Sequence, residues 1–219
     1  MAKKGLLVLV LAAFVATGAF AIDVSAGFGA NFGNHFNNWR IEWSEDLGGG
    51  DTDSGTWGAA YHFTGGGFFA FFDANFVEAN IGLLFGGDSW TRHTYLTFGL
   101  LGKIPFEVGN AFTIFPLLGI QYDIGLRMRE RGADDPIDFD EWGEDRGDVM
   151  NRFWIRVGFG YDINVSHNMF LRTTFLYGIN FGTQEERDMN DTFESGNWRE
   201  EVSSFHHGLD VRLALGFRF

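Results

Sequence analysis

The chain has no cysteine, 3 prolines and a formal charge of −13 over 219 residues. Without thiols there is no disulfide framework and no cysteine-ligated zinc. Lysine is nearly absent: Lys3, Lys4 and Lys103 stand against 29 acidic side chains. A nucleic-acid partner is therefore not expected, because phosphate backbones are held by a surplus of Lys and Arg. Abundant instead are 31 Gly and 26 Phe, and an apolar share of 45% argues against a disordered chain.

Lys3 and Lys4 precede an apolar run from Leu6 to Val15, and Ala19-Phe20-Ala21 follows with the small-x-small pattern of a signal-peptidase site. The segment is short for a membrane helix, which needs about 20 apolar residues. Residues 1–21 read as a signal peptide and 22–219 as one domain, of net charge −15. With no cysteine after the cleavage site, a lipoprotein anchor is excluded.

The rest of the chain alternates with a period of two. Leu209, Val211, Leu213, Leu215, Phe217 and Phe219 share one parity, while Gly208, Asp210, Arg212, Ala214, Gly216 and Arg218 share the other. Phe153 to Val165 and Phe112 to Ile124 repeat the pattern, and Ile22 to Gly33 fits it. Further strands are expected at 64–72, 76–86, 92–104 and 169–182, making eight in all. Phe68, Phe69, Phe71 and Phe72 occupy both parities and leave the facing of the first of these unassigned. Short connections at Asp73 to Asn75, Pro105 to Ala111 and Ser166 to Asn168 alternate with long polar ones at Asn34 to Phe63, Leu126 to Asn151 and Thr183 to Ser203. Gly87 to Thr91 is a brief connection on the long-loop side. Such an order describes an antiparallel meander with both termini on the short-turn side.

The non-apolar parity is rich in Gly and Ala and carries charges of both signs, which suits a cramped interior better than a solvated exterior. The apolar parity then faces hydrocarbon. The expected fold is all-β, an eight-stranded antiparallel up-and-down transmembrane β-barrel. Outward aromatics Phe32, Phe85, Tyr122, Phe153 and Phe181 would form one interfacial girdle, with Phe112, Tyr161, Phe217 and Phe219 forming the other.

Signal peptide, eight alternating strands, short turns beside the termini and a final Phe219 together resemble small bacterial outer-membrane barrels of the OmpA, OmpX and OmpW kind. The resemblance spans the whole mature chain and implies the bacterial outer membrane as location and outer-membrane lipid as surroundings. It also implies a closing strand recognised by the barrel assembly machinery. Arg212, Phe217 and Phe219 match that signal, whereas Ala214 stands where glycine is usual. Fold of this kind does not fix activity.

Inward parity collects Asp23, Glu78, Asp123, Asp162 and Asp210 with Lys103, Arg156, Arg172, Arg212 and Arg218, a balanced set expected to pair within the lumen. A three-residue turn at Ser166 to Asn168 places Asp162 directly opposite Arg172. The long loops are acidic, which favours an extracellular cationic partner. Asp138, Asp140 and Glu144 offer oxygens to calcium but lack EF-hand spacing, so a solvated loop is the expectation. Trp142 and Trp198 are candidate anchors for a partner. His93, His206, His207, Ser203, Ser204 and Asp210 offer the residue types of a lipid-modifying barrel enzyme, a lesser alternative that needs a third group held in register. No nucleotide-binding motif is present. The expectation is a non-enzymatic barrel without cofactor or metal, structural or adhesive. A narrow channel for small hydrophobic or ionic solutes is the alternative.

Overall fold

The computed structural model describes residues 23–48, 51–109, 111–133, 135–137, 150–180, 193–195 and 198–219, with backbone alone at 37–48, 51–53, 57–61, 193–195 and 198–205. The expected signal peptide, Phe181, the loop carrying Asp138, Asp140, Trp142 and Glu144, and the side chain of Trp198 lie outside these residues. Among the described residues ten strands follow in order: β1 (Val24–Gly48), β2 (Asp51–Ala74), β3 (Val77–Gly87), β4 (Thr91–Lys103), β5 (Phe106–Val108), β6 (Phe112–Glu130), β7 (Arg152–Asn164), β8 (Met169–Asn180), β9 (Phe193–Ser195) and β10 (Trp198–Arg218). Eight long strands form one antiparallel sheet, closed where β10 returns to β1 with Ser25 opposite Arg218 and Gly33 opposite Asp210. Short β5 adds to β6, and β9 to β10.

Local chemistry sets the register. Asn75 turns β2 into β3 at φ 48°, a left-handed conformation that Asn tolerates, and its Oδ1 accepts the Asp23 amide at 2.8 Å. At the β7–β8 turn the amides of Val165 and Ser166 both donate to the Met169 carbonyl, at 2.9 and 3.1 Å. That closure puts Asp162 opposite Arg172.

Side chains alternate across the wall. Phe28, Phe68, Leu118, Ile120, Phe159 and Leu213 stand on the outside, Phe68 with 70% of its surface exposed, while Phe115, Trp154, Phe170 and Leu176 are buried in the lumen. The ambiguous phenylalanines separate cleanly: Phe68 and Phe72 point out, Phe69 and Phe71 in. Phe32, Phe85, Tyr122 and Phe153 are exposed at one rim and Phe112, Phe217 and Phe219 at the other, while Tyr161 is half-buried. A glycine wall makes room for the filling, since a Cβ on Gly216 would collide with the Phe170 ring and one on Gly160 with the Phe115 ring. Backbone groups paired around a closed sheet and an apolar outer belt are the two features a barrel needs in hydrocarbon.

Several expected loop boundaries are corrected, among them the start of the loop at Leu126, since β6 runs on to Glu130. Asn34 to Phe63 is not a loop, because β1 and β2 stay paired to Glu45 opposite Asp53. Of Thr183 to Ser203, the described part holds β9 and the start of β10. The short connection from Pro105 to Ala111 contains β5. Lipid demands apolar side chains only across its own thickness, so polarity marks the end of the belt rather than the end of backbone pairing. Asp73 and Ala74 likewise belong to β2 and not to the turn.

Candidate functional site: the charged lumen

Two polar layers fill the barrel. Nearer the short turns, Arg172 of β8 donates from Nε to Asp162 Oδ1 at 2.8 Å and from Nη2 to Asp162 Oδ2 at 2.8 Å. The same guanidinium reaches across the lumen to Asp73 Oδ2 on β2 at 2.8 Å and Glu78 Oε2 on β3 at 2.7 Å. It is 3% exposed and lies over the rings of Phe71, Phe115 and Phe170 at 4.6, 5.0 and 5.1 Å. Lys103 of β4 also donates to Asp73. Buried charges persist when paired and hydrogen-bonded, and this fork bonds three carboxylates at once, with Asp73 engaged through Oδ2 alone. Arg218 sits at the mouth, over Phe170 at 4.8 Å and donating to Asn164 Oδ1 at 2.7 Å, while Asp23 is exposed. Ser25, Asp73, Lys103, Asp162, Arg172 and Arg218 line a cavity of about 680 Å³ at this end.

The second layer lies toward the long loops. Arg156, wholly buried on β7, holds Nη1 2.6 Å from Asp210 Oδ2 and stacks over Trp154 at 4.2 Å. His35 Nε2 is 3.2 Å from Asp210 Oδ1. Asp123 accepts from Trp154 Nε1 and Gln121 Nε2, each at 2.7 Å, and Gln121 Oε1 accepts from Arg212 Nη2 at 2.8 Å. Above this layer Phe63, Leu84, Tyr95 and Met150 form a buried apolar cluster, and Arg152 lies over Phe63 and Tyr95 at 5.9 and 5.1 Å.

Glu78, Lys103, Asp162 and Arg172 thus meet in one layer, and Asp123, Arg156, Asp210 and Arg212 in the other, while Asp23 and Arg218 stand apart at the mouth. Sequence reasoning missed Asp73, which was assigned to a turn. It also missed His35, Gln121 and Trp154, although all three share the inward parity of their strands. His93 contacts Thr91 Oγ1 at 2.7 Å and Tyr95 Oη at 3.1 Å, His206 is buried, and His207 stacks on Phe36. Asp210 already faces Arg156, and the side chains of Ser203 and Ser204 lie outside the described residues. No cluster of three potential metal ligands occurs among the described residues. Of the residues expected to form an assembly signal, Phe217 and Phe219 are on the outside and Arg212 points inward.

No protein-family model and no curated protein matches the sequence. Among solved structures, Neisserial surface protein A matches at 12% identity and TM-score 0.43, covering 86% of this chain and 97% of that one. The N-terminal β-barrel domain of Pseudomonas aeruginosa OprF matches at 11% and 0.38, over 84% and 97%. Ail, the attachment invasion locus protein of Yersinia pestis, matches at 10% and 0.35, over 88% and 99%. The chain is similar to small eight-stranded outer-membrane barrels. Likeness at this level carries nothing about activity.

Proposed function

We propose that the protein is an integral barrel of the bacterial outer membrane whose work is interaction at the cell surface, without catalysis. One observation carries this reading: β1, β2 and β10, of 25, 24 and 21 residues, far exceed the about 10 residues a membrane strand needs, and remain paired above the belt. The raised sheet has an open side. Pairing of β2 with β3 stops at Thr64 opposite Gly87, so among the described residues Asp51 to Phe63 pairs only with β1. An unpaired strand edge is a template for an extended segment of another chain. Acidic residues prevail in the long loops, which favours a cationic partner. The closing strand with Phe217 and Phe219 outside is the surface the assembly machinery would meet. A narrow channel is the second reading, and the two charged layers beneath an apolar cluster speak against it.

The test compares cells displaying the full chain with cells displaying a chain in which residues 38–60 are replaced by a two-residue turn. The full chain is expected to hold cells on a polylysine-coated surface, and the shortened chain to release them. Equal retention, or conductance steps from the full chain in a planar bilayer, would overturn the proposal.

A further inference from the structure

Among the described residues, the charged layer nearer the short turns holds more carboxylates than bases. Asp73, Glu78 and Asp162 meet Lys103 and Arg172 there, and three acids less two bases leave this buried set at a formal charge of −1. The other layer does not offset it, because Asp123 and Asp210 already match Arg156 and Arg212 in number and His35 lies against Asp210. The excess is traced to one atom. Both oxygens of Asp162 accept from Arg172, and Glu78 accepts from Arg172 on Oε2 at 2.7 Å and from Asn80 on Oε1 at 3.5 Å. Asp73 takes Lys103 and Arg172 on Oδ2, while its Oδ1 has no hydrogen-bond partner although the residue is 2% exposed. A carboxylate oxygen withdrawn from water without a donor is costly.

Asp73 belongs to the wall of the cavity of about 680 Å³ at the short-turn end. That volume suits a small organic molecule and exceeds what a bare ion fills. A second excess charge lies in the same wall at another depth. Asp23 precedes by two residues the Ser25 that faces Asp73, which sets it about 7 Å nearer the mouth. Asp23 and Glu107 are both exposed there, with Arg218 as the base beside them, and two acids less one base leave the mouth at a formal charge of −1 as well. His167, the remaining titratable group of the wall, is formally neutral. Phe170 and Pro105 supply apolar surface to the same cavity.

We propose that this cavity is a binding site for a short aliphatic diamine of the putrescine class. One ammonium bonds Asp73 Oδ1, as the Lys103 ammonium already bonds Oδ2, and brings the buried layer to one base for each acid. The second ammonium meets Asp23 and Glu107 at the mouth, and the methylenes between them lie against Phe170 and Pro105. A divalent metal ion carries the same charge at a single point, whereas the two excess charges lie at different depths. No cluster of three potential metal ligands occurs among the described residues. The site stands on the lumen and its mouth, and the cell-surface role of the opposite end is independent of it.

The test titrates putrescine at constant ionic strength into the full chain folded in detergent and reads binding by isothermal calorimetry, with butylamine and magnesium chloride as comparison ligands. Saturable binding of putrescine is expected. The affinity should fall about 10-fold in D73N, which removes a buried charge-assisted bond. It should fall about 5-fold for butylamine, which lacks the second ammonium, and by a similar factor in D23N/E107Q. D73N leaves two bases with two acids and is expected to fold, which circular dichroism checks; the mouth variant changes exposed positions only and decides the matter if D73N does not fold. No saturable binding, butylamine bound as tightly as putrescine, magnesium bound more tightly than either, or D23N/E107Q equal to the parent overturns the site. Each of these results leaves the cell-surface reading untouched, since that reading is tested at the other end of the barrel.

Discussion

Asp162 and Arg172 face each other across β7 and β8 and share two hydrogen bonds of 2.8 Å. The pair is the hinge of a wider arrangement, because the same guanidinium also neutralises Asp73 and Glu78 from the opposite wall.

Replacing Arg172 by Met leaves those carboxylates facing Lys103 alone. Breaking a buried ionic set by removing one partner costs about 3–5 kcal/mol. A large fall in the urea midpoint of unfolding in detergent is expected for R172M, and a smaller one for D162N, which leaves Arg172 with Asp73 and Glu78. An unchanged midpoint in R172M would mean the network adds nothing to stability.

Gly216 gives its place in the wall to the ring of Phe170, and Gly178 gives its place to the side chain of Arg156. Overpacking a filled interior costs about 1–3 kcal/mol. G216V is expected to lose stability, and F170L/G216V to recover part of it. Additive losses in that double variant would show that the two residues do not share space.

The β3–β4 turn is expected to loosen in acid. Burial acts to raise the pKa of Asp88, but the amides of Thr91 and Trp90, the Thr91 hydroxyl and nearby His93 outweigh it and hold the carboxyl below its ordinary value. A depressed folded value means that the contribution is present above the unfolded pKa and is lost as pH falls through the folded one. Faster hydrogen exchange at the Trp90 and Thr91 amides is expected in acid relative to the intrinsic rate, and at neutral pH in D88N. Protection independent of pH in the parent would contradict this.

Much of the fold was legible in the sequence because hydrocarbon imposes a rule that alternation makes visible. Leu209 to Phe219 and Phe153 to Val165 announce both their length and their facing. Beyond the belt that rule lapses. The paired stretch from Asn34 to Glu45 looks like a loop by polarity, since backbone hydrogen bonding leaves no mark on side-chain type. The lumen was legible only in its charges. Asp73 falls within the two residues by which β2 runs past its expected end at 72, and His35, Gln121 and Trp154 are not counted among the formal charges. Positions in the acidic loop, such as Asp138 and Glu144, lie outside the described residues.

The whole account depends on which side of the wall meets lipid, and the absence of cysteine makes this directly measurable. Single cysteines at Leu118, Ile120 and Leu213, and at Asp135 as a reference, can carry nitroxide labels without removing any native thiol. In vesicles, labels at the first three sites should relax strongly with oxygen and weakly with a water-soluble nickel chelate, and the label at Asp135 should do the reverse. Strong relaxation by the nickel chelate at Leu118 and Leu213 would show that the apolar face is not in the membrane.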